Sequence, residues 1–214
     1  MERAITRLRL AGSAALVVAC LGTPPGAAAT PSPNLLRQAL DPNPALSTYT
    51  ATVTLSAVLH AVVAVRKTLH GTAYYRKPER TIVFADAPRA LKRFSALAAT
   101  TPAYEQILRD YRTAPLGDDG ATSSYALTPV KRDGRVQTLT VRVADDSHLI
   151  RQATWLYNGG ETLSLTPAYT ASAGFQLLSS VTISARFPGY DVDGTLQFSD
   201  YRLNVPVPDF ATVR

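Results

Sequence analysis

The sequence predicts a mainly β protein with a few helices (α+β), dominated by one antiparallel sheet. Two observations carry this. Tyr49, Ala51, Val53, Leu55, Ala57 and Leu59 alternate with Thr48, Thr50, Thr52, Thr54 and Ser56, the period of a half-buried strand. Charged residues make up only 18% of the chain, while Thr, Ser, Val, Tyr and Leu are plentiful, a composition that suits pleated surfaces.

The chain opens on an expected export signal. Arg3, Arg7 and Arg9 form a basic start, Leu10 to Leu21 an apolar run, and Ala27-Ala28-Ala29 a small-residue cleavage pattern, so residues 1–29 read as a secretory leader. The apolar run is about 12 residues, short of the ~20 that a membrane-spanning helix needs. The only cysteine, Cys20, follows Val17-Val18-Ala19 and so also resembles a lipobox cysteine. Two expectations stand side by side: a lipoprotein anchored through Cys20, or a leader removed after Ala29. Either way the mature domain carries no disulfide and depends on its core.

Residues 30–47 read as a tether with a short helix over Leu35 to Leu40, ended by Asp41-Pro42-Asn43-Pro44. Residues 48–214 form the domain. Strands are expected at Thr48 to Leu59, Val62 to Arg76 and Arg80 to Ala85. Residues 88–112 change period: Leu91, Phe94, Leu97 and Ala98, then Tyr104, Ile107, Leu108 and Tyr111, fit a helical insertion split at Thr101-Pro102. Leu116 to Ser123 reads as a loop. Strands resume at Ser124 to Lys131, Val136 to Ala144, Leu149 to Tyr157, Glu161 to Tyr169, Phe175 to Phe187 and Asp191 to Asn204. They are joined by turns such as Arg132-Asp133-Gly134-Arg135 and Asn158-Gly159-Gly160. That makes about nine strands in a meander, because short connections force antiparallel neighbours.

Without the leader, a net charge of +6 falls to +4, mildly basic and without a Lys/Arg run, so nucleic-acid binding has no support. Peripheral contact with an anionic membrane surface is compatible with that charge. The apolar face of so many strands needs cover, and few helices are at hand. The sheet can curl into a barrel or half-barrel with helices over its opening, or two sheets can pack as a sandwich. Periodicity allows both.

Catalytic and metal signatures are absent. His60, His70 and His148 stand in no metal-ligand spacing, and Asp191-Val192-Asp193-Gly194 lacks the remaining ligands of a calcium loop. Asp118-Asp119-Gly120 reads as a loop turn. No nucleophile elbow, phosphate loop or dinucleotide fingerprint occurs, so the chain is expected to be no enzyme, with no cofactor. Trp155, Tyr157, Phe175, Phe187 and Phe198 suit either a core or a ligand cage.

Three segments together resemble the LolA-type family of periplasmic lipoprotein carriers. The first is Gly71-Thr-Ala-Tyr-Tyr-Arg-Lys-Pro-Glu-Arg-Thr-Ile-Val-Phe-Ala-Asp-Ala-Pro88. The second joins Tyr125-Ala-Leu-Thr-Pro129, Leu139-Thr-Val-Arg-Val143 and Leu149-Ile-Arg-Gln-Ala-Thr-Trp155. The third is the closing Leu196 to Phe210 with its two prolines. The resemblance covers roughly residues 45–210 in patches.

The resemblance implies a curled antiparallel sheet forming an incomplete, half-open β-barrel with a helical lid and an apolar cavity for acyl chains. Its implied occupants are lipid or the acyl chains of lipoproteins, and its implied partners a membrane transporter or an acceptor protein. The cavity candidates are Val53, Leu55, Leu139, Val141, Val143, Trp155, Val181, Ile183 and Phe187. The family latches its lid with an Arg before the turn proline. Here that position is Lys77, with Arg76 before it on the opposite face, and Lys lacks the planar fork of Arg. The family's Asp-Gly hairpin after the third strand is also missing, replaced by residues 88–112. An alternative use of the same fold is a non-enzymatic envelope sensor or scaffold that binds a protein partner.

Overall fold

Alternating apolar and hydroxyl residues become ten antiparallel strands in the computed structural model, which describes residues 31–85, 107, 109–131 and 134–209. A helix α1 (Pro33–Leu40) precedes β1 (Thr48–His60), β2 (Val65–Arg76) and β3 (Glu79–Phe84). Then follow β4 (Tyr111–Asp118), β5 (Thr122–Pro129), β6 (Val136–Ala144), β7 (Ile150–Tyr157), β8 (Thr162–Ser172), β9 (Phe175–Phe187) and β10 (Tyr190–Leu203). They form one sheet in the order β3-β2-β1-β10-β9-β8-β7-β6-β5-β4. The meander from β4 to β10 is extended by the pairing of β10 with β1, and the sheet ends on β3 and β4 without closing.

The tenth strand corrects the expected count. Tyr111 and Arg112 belong to β4 rather than to a helix, and β4 continues through Pro115, Leu116 and Gly117, where a loop was expected. Proline removes a ladder donor and is tolerated on an edge strand, which is where β4 lies. The neighbouring β5 starts at Thr122 rather than Ser124, and β2 starts at Val65 rather than Val62. Most of the expected helical insertion, 88–112, lies outside the described residues, as does the expected leader, residues 1–29 with Cys20.

The sheet curls strongly. Ile82 and Phe84 of β3 share a core cluster with Leu177 and Val181 of β9, four strands away in hydrogen-bond order. On a flat sheet that separation is about 19 Å. Register shifts favour the curl, since a bulge adds local twist and bend. They occur between Thr50 and Thr52 against β10, between Ala168 and Tyr169 against β9, and twice between β6 and β7. Gly71 allows the closest approach: a Cβ there would collide with the Val83 carbonyl oxygen and the Phe84 ring.

Residues 32–47 cross the concave side as a strap. Ser32 caps α1 by accepting from the Asn34 amide, and Leu36 and Ala39 bury the helix against Tyr125, Leu127, Leu139, Val141 and Val143. The Tyr125 hydroxyl donates to the Ser32 carbonyl at 2.7 Å. Farther on, Leu46 enters the other cluster beside Tyr49, Ala51 and Val53.

Candidate functional site: the concave apolar face

Side-chain direction alternates along a strand, and register transmits that parity from one strand to the next. Val53 lies opposite both Gly71 and Phe198; Leu55 lies opposite Leu69 and Leu196; Leu196 lies opposite Val181. One row farther, Ile183 lies opposite Leu165, Leu165 opposite Ala153, and Ala153 opposite Val141. Trp155 pairs with Leu139 and Leu163, and Phe187 with Tyr190. All nine expected cavity residues therefore lie on one face of one sheet, the concave face.

They are not buried alike. Val53, Leu139, Val141, Val143 and Val181 are buried, whereas Leu55, Trp155, Ile183 and Phe187 are half-buried. Two packed clusters stand at either end of the face. One is built from β1, β2, β3, β9 and β10, the other from α1, β5 and β6 together with Ile107. Between them Leu163, Leu165, Ile183 and Trp155 form a half-buried apolar seam. Such a surface is a platform on which an apolar chain can lie without unpacking the core.

The convex face has the opposite character. Thr166 and Thr182 pair, as do Thr182 and Thr195, and Thr195 and Ser56, giving rows of hydroxyls. His60 and His70 both lie on it but do not meet: His70 faces Thr54, six residues from His60 along β1 and so roughly 20 Å away. The Asp191–Asp193 turn motif lies on the same face inside β10. Asp193 takes hydrogen bonds from Arg186 at 2.9 Å and from Ser184 at 3.0 Å, which hold its carboxyl below the usual range. Among the described residues no three His, Cys, Asp or Glu side chains gather as a metal site.

The sheet splays near the strap. Pairing between β9 and β10 ends at Ser180 and Gln197, leaving the start of β9 without a β10 partner. The Asn43 side chain supplies what the strand lacks. Its Nδ2 donates to the Gln176 carbonyl at 2.7 Å and its Oδ1 accepts from the Gln176 amide at 2.8 Å. The Tyr201 hydroxyl donates to the Leu178 carbonyl at 2.7 Å.

Lys77 reaches the exit of α1: its Nζ donates to Asp41 Oδ2 at 2.8 Å and to the Pro44 carbonyl at 3.1 Å. Arg76 points away and pairs with Asp209 at 3.7 Å. The two adjacent cations thus hold different segments, the strap and the exit of β10.

One residue of this face escaped sequence reading. Arg80 lies opposite Tyr75, and Tyr75 opposite Tyr49, so its side chain belongs to the concave side. Tyr75 stacks on Tyr49 with centroids 5.0 Å apart, Tyr201 meets Tyr49 edge-on at 5.3 Å, and the Arg80 guanidinium sits 6.0 Å above the Tyr49 ring. Arg80 is half-buried as a residue, yet its Nε is enclosed without a hydrogen-bond partner. Burial pushes the hydroxyl of Tyr169, on β8, up to about 12, and pushes Tyr201 up as well, so both are neutral phenols at ordinary pH. The signal was present: Arg80, Ile82 and Phe84 share one parity.

At one end of the sheet, apolar residues project outward. The β1–β2 hairpin carries Ala61-Val62-Val63-Ala64-Val65, with Val62, Val63 and Val65 exposed and Arg66 and Lys67 following. Next to it Phe187 stacks on Tyr190 at 5.1 Å. A dent of about 190 Å³ lined by Gly159, Glu161, Arg186 and Phe187 lies at the same rim; it is below the ~300 Å³ at which ligand pockets usually begin. No helix among the described residues is long and apolar enough to cross a membrane.

No protein-family model matches this chain, and no curated protein matches it by sequence. Solved structures match its fold. A DUF1329 family protein from Desulfovibrio piger superposes with a TM-score of 0.60 at 13% identity, over 85% of this chain and 97% of the other. A domain named for outer membrane lipoprotein sorting, from Vibrio parahaemolyticus, gives 0.58 at 14% identity, over 82% and 93%. A LolA superfamily protein from Nitrosomonas europaea gives 0.56 at 13% identity, over 85% and 96%. The chain has a LolA-like fold: an open, curled antiparallel sheet with a helix against its concave side.

Proposed function

We propose that this protein is an envelope carrier or binding protein that holds lipid, or the acyl chains of lipoproteins, against its half-buried apolar face. The observation that carries the reading is that face: nine residues from four strands form a continuous surface, packed at both ends and half-buried between. Burying a chain there gains about 0.8 kcal/mol per CH₂. Binding and release need no bond chemistry, so the reading is non-enzymatic. The leader, residues 1–29, supports work in the periplasm or cell envelope, freely or anchored through Cys20.

The exposed Ala61–Val65 tip supports peripheral contact with a membrane during loading or delivery. No Asp or Glu occurs between Asp41 and Glu79, while Arg66 and Lys67 flank the tip. Each such cation contributes about 1 kcal/mol near an anionic surface. A transporter or an acceptor protein would then exchange the cargo.

Native mass spectrometry of protein purified from its own envelope tests the reading. Co-purified lipid or lipoprotein is expected, together with binding of a neutral fluorescent apolar probe. A chain that retains no lipid and binds no probe sinks it. The second reading, an envelope sensor or scaffold, draws on the same exposed tip, because a protein partner would cover it equally well. It predicts a stable complex abolished by Val62→Asp with probe binding unchanged.

A further inference from the structure

We infer that Arg80 is an oxyanion-recognising residue at one end of the concave face, so that the cargo is an acyl-chain amphiphile with a phosphate or carboxylate head. This rests on the lipid-holding reading and names the class of ligand.

A guanidinium is charged at any working pH and offers five donors. Desolvating it is costly unless a partner repays the loss. Among the described residues no carboxylate lies within ion-pair distance of Arg80, and its Nε has no hydrogen bond. What surrounds it is phenolic: the Tyr49 ring below, with Tyr75 and Tyr201 stacked and edge-on against that ring. Tyr169 lies within electrostatic reach although β8 is five strands from β3, because the sheet curls. A ring face recovers only part of a cation's lost hydration. Among the described residues the arrangement lacks an anion.

The surroundings also fix a polarity. Away from Arg80 the rows of the face become purely apolar. First come Ala51, Ala73 and Ile82; next Val53, Gly71, Phe84 and Phe198; then Leu55, Leu69 and Leu196. These rows are mostly buried in the packed cluster, so a charged head on Arg80 would leave its chain beyond them, on the half-buried seam of Leu165, Ile183 and Trp155.

Displacement of a neutral fluorescent probe from the mature protein tests this, using decyl phosphate, decanol and inorganic phosphate, the amphiphiles below their micelle-forming concentrations. Wild type should bind decyl phosphate at least about tenfold more tightly than decanol. Arg80→Met should bind both alike and melt no lower than wild type, because it removes an uncompensated charge. Inorganic phosphate that blocks decyl phosphate but not decanol would assign the site to a free oxyanion as well as to a lipid head. Equal wild-type affinities, or a preference that survives in Arg80→Met, overturn the inference and leave the carrier reading intact. If neither amphiphile displaces the probe, the carrier reading fails first. Should Arg80→Met not fold, Arg80→Lys decides: it keeps the charge but loses the fork, and an undiminished preference overturns the assignment.

Discussion

Replacing Asn43 by Ala should loosen the strap from the splayed seam. The amide makes two hydrogen bonds to one residue, at 2.7 and 2.8 Å, and both go to backbone groups of Gln176 where β10 has left β9. Each such bond contributes about 0.5–1.5 kcal/mol, and exposed groups regain water on losing a partner, so the sum should fall near 1–2 kcal/mol. In a domain of this size that lowers Tm by roughly 2–8 °C. Urea unfolding gives the free energy, and amide hydrogen exchange reads the site itself. The Gln176 amide should exchange about tenfold faster, with the β5 and β6 amides unchanged. Asn43→Asp is the control. Its carboxylate can still accept from the Gln176 amide but cannot donate to the carbonyl, so it should fall at or below the Ala variant. An unchanged urea midpoint with Gln176 still protected would refute the role given to the strap.

Lys77→Met should cost roughly 0.5–1 kcal/mol at low salt, since the pair with Asp41 is partly exposed; at 1 M salt the gap to wild type should shrink, and a salt-independent gap would count against an ionic tie. Tyr169 has a folded value raised by burial to about 12, so its contribution is whole below about pH 10 and disappears as pH climbs to 12. Alkaline melts of Tyr169→Phe should therefore fall less steeply than wild type over that window, and identical slopes would contradict the burial of its hydroxyl. Asp119 is held below the usual carboxylate range by the amides of Ala121 and Thr122 and then by Arg142. Its contribution is present above about pH 3.9 and is lost as pH falls through the lower folded value. Asp119→Asn should be destabilised at pH 7 and converge on wild type by pH 2, a convergence that thermal melts would show or deny.

Much of the site was legible because strand parity is a local property. The alternation at Thr48–Leu59 and Val136–Ala144 determines which side chains share a face, and antiparallel pairing carries that assignment across the sheet. This is why nine residues picked from four strands fell on one surface. The helix at Pro33–Leu40 was likewise legible, because Asp41-Pro42-Asn43-Pro44 leaves it nowhere to continue. The edge strand β4 was not. Its Pro115 and Gly117 carry the local marks of a loop, and only pairing with β5 makes Tyr111–Asp118 a strand. Arg80 was legible in parity alone; that it sits over Tyr49 with no carboxylate partner among the described residues depends on strands that the chain brings together from far apart.

The sequence by itself determined an antiparallel sheet with one apolar and one hydroxyl-rich face, a short helix ahead of it, and no recognisable catalytic motif. Those follow from period-two alternation, turn residues and composition, each set within a few neighbouring residues. Tertiary structure alone decided that β10 pairs with β1, that the sheet curls until β3 meets β9, and that the strap leaves a half-buried seam between two cores. Curl is a sum of small twists and bulges along ten strands, and exposure depends on everything that packs above a residue. Neither quantity belongs to any single segment of the chain.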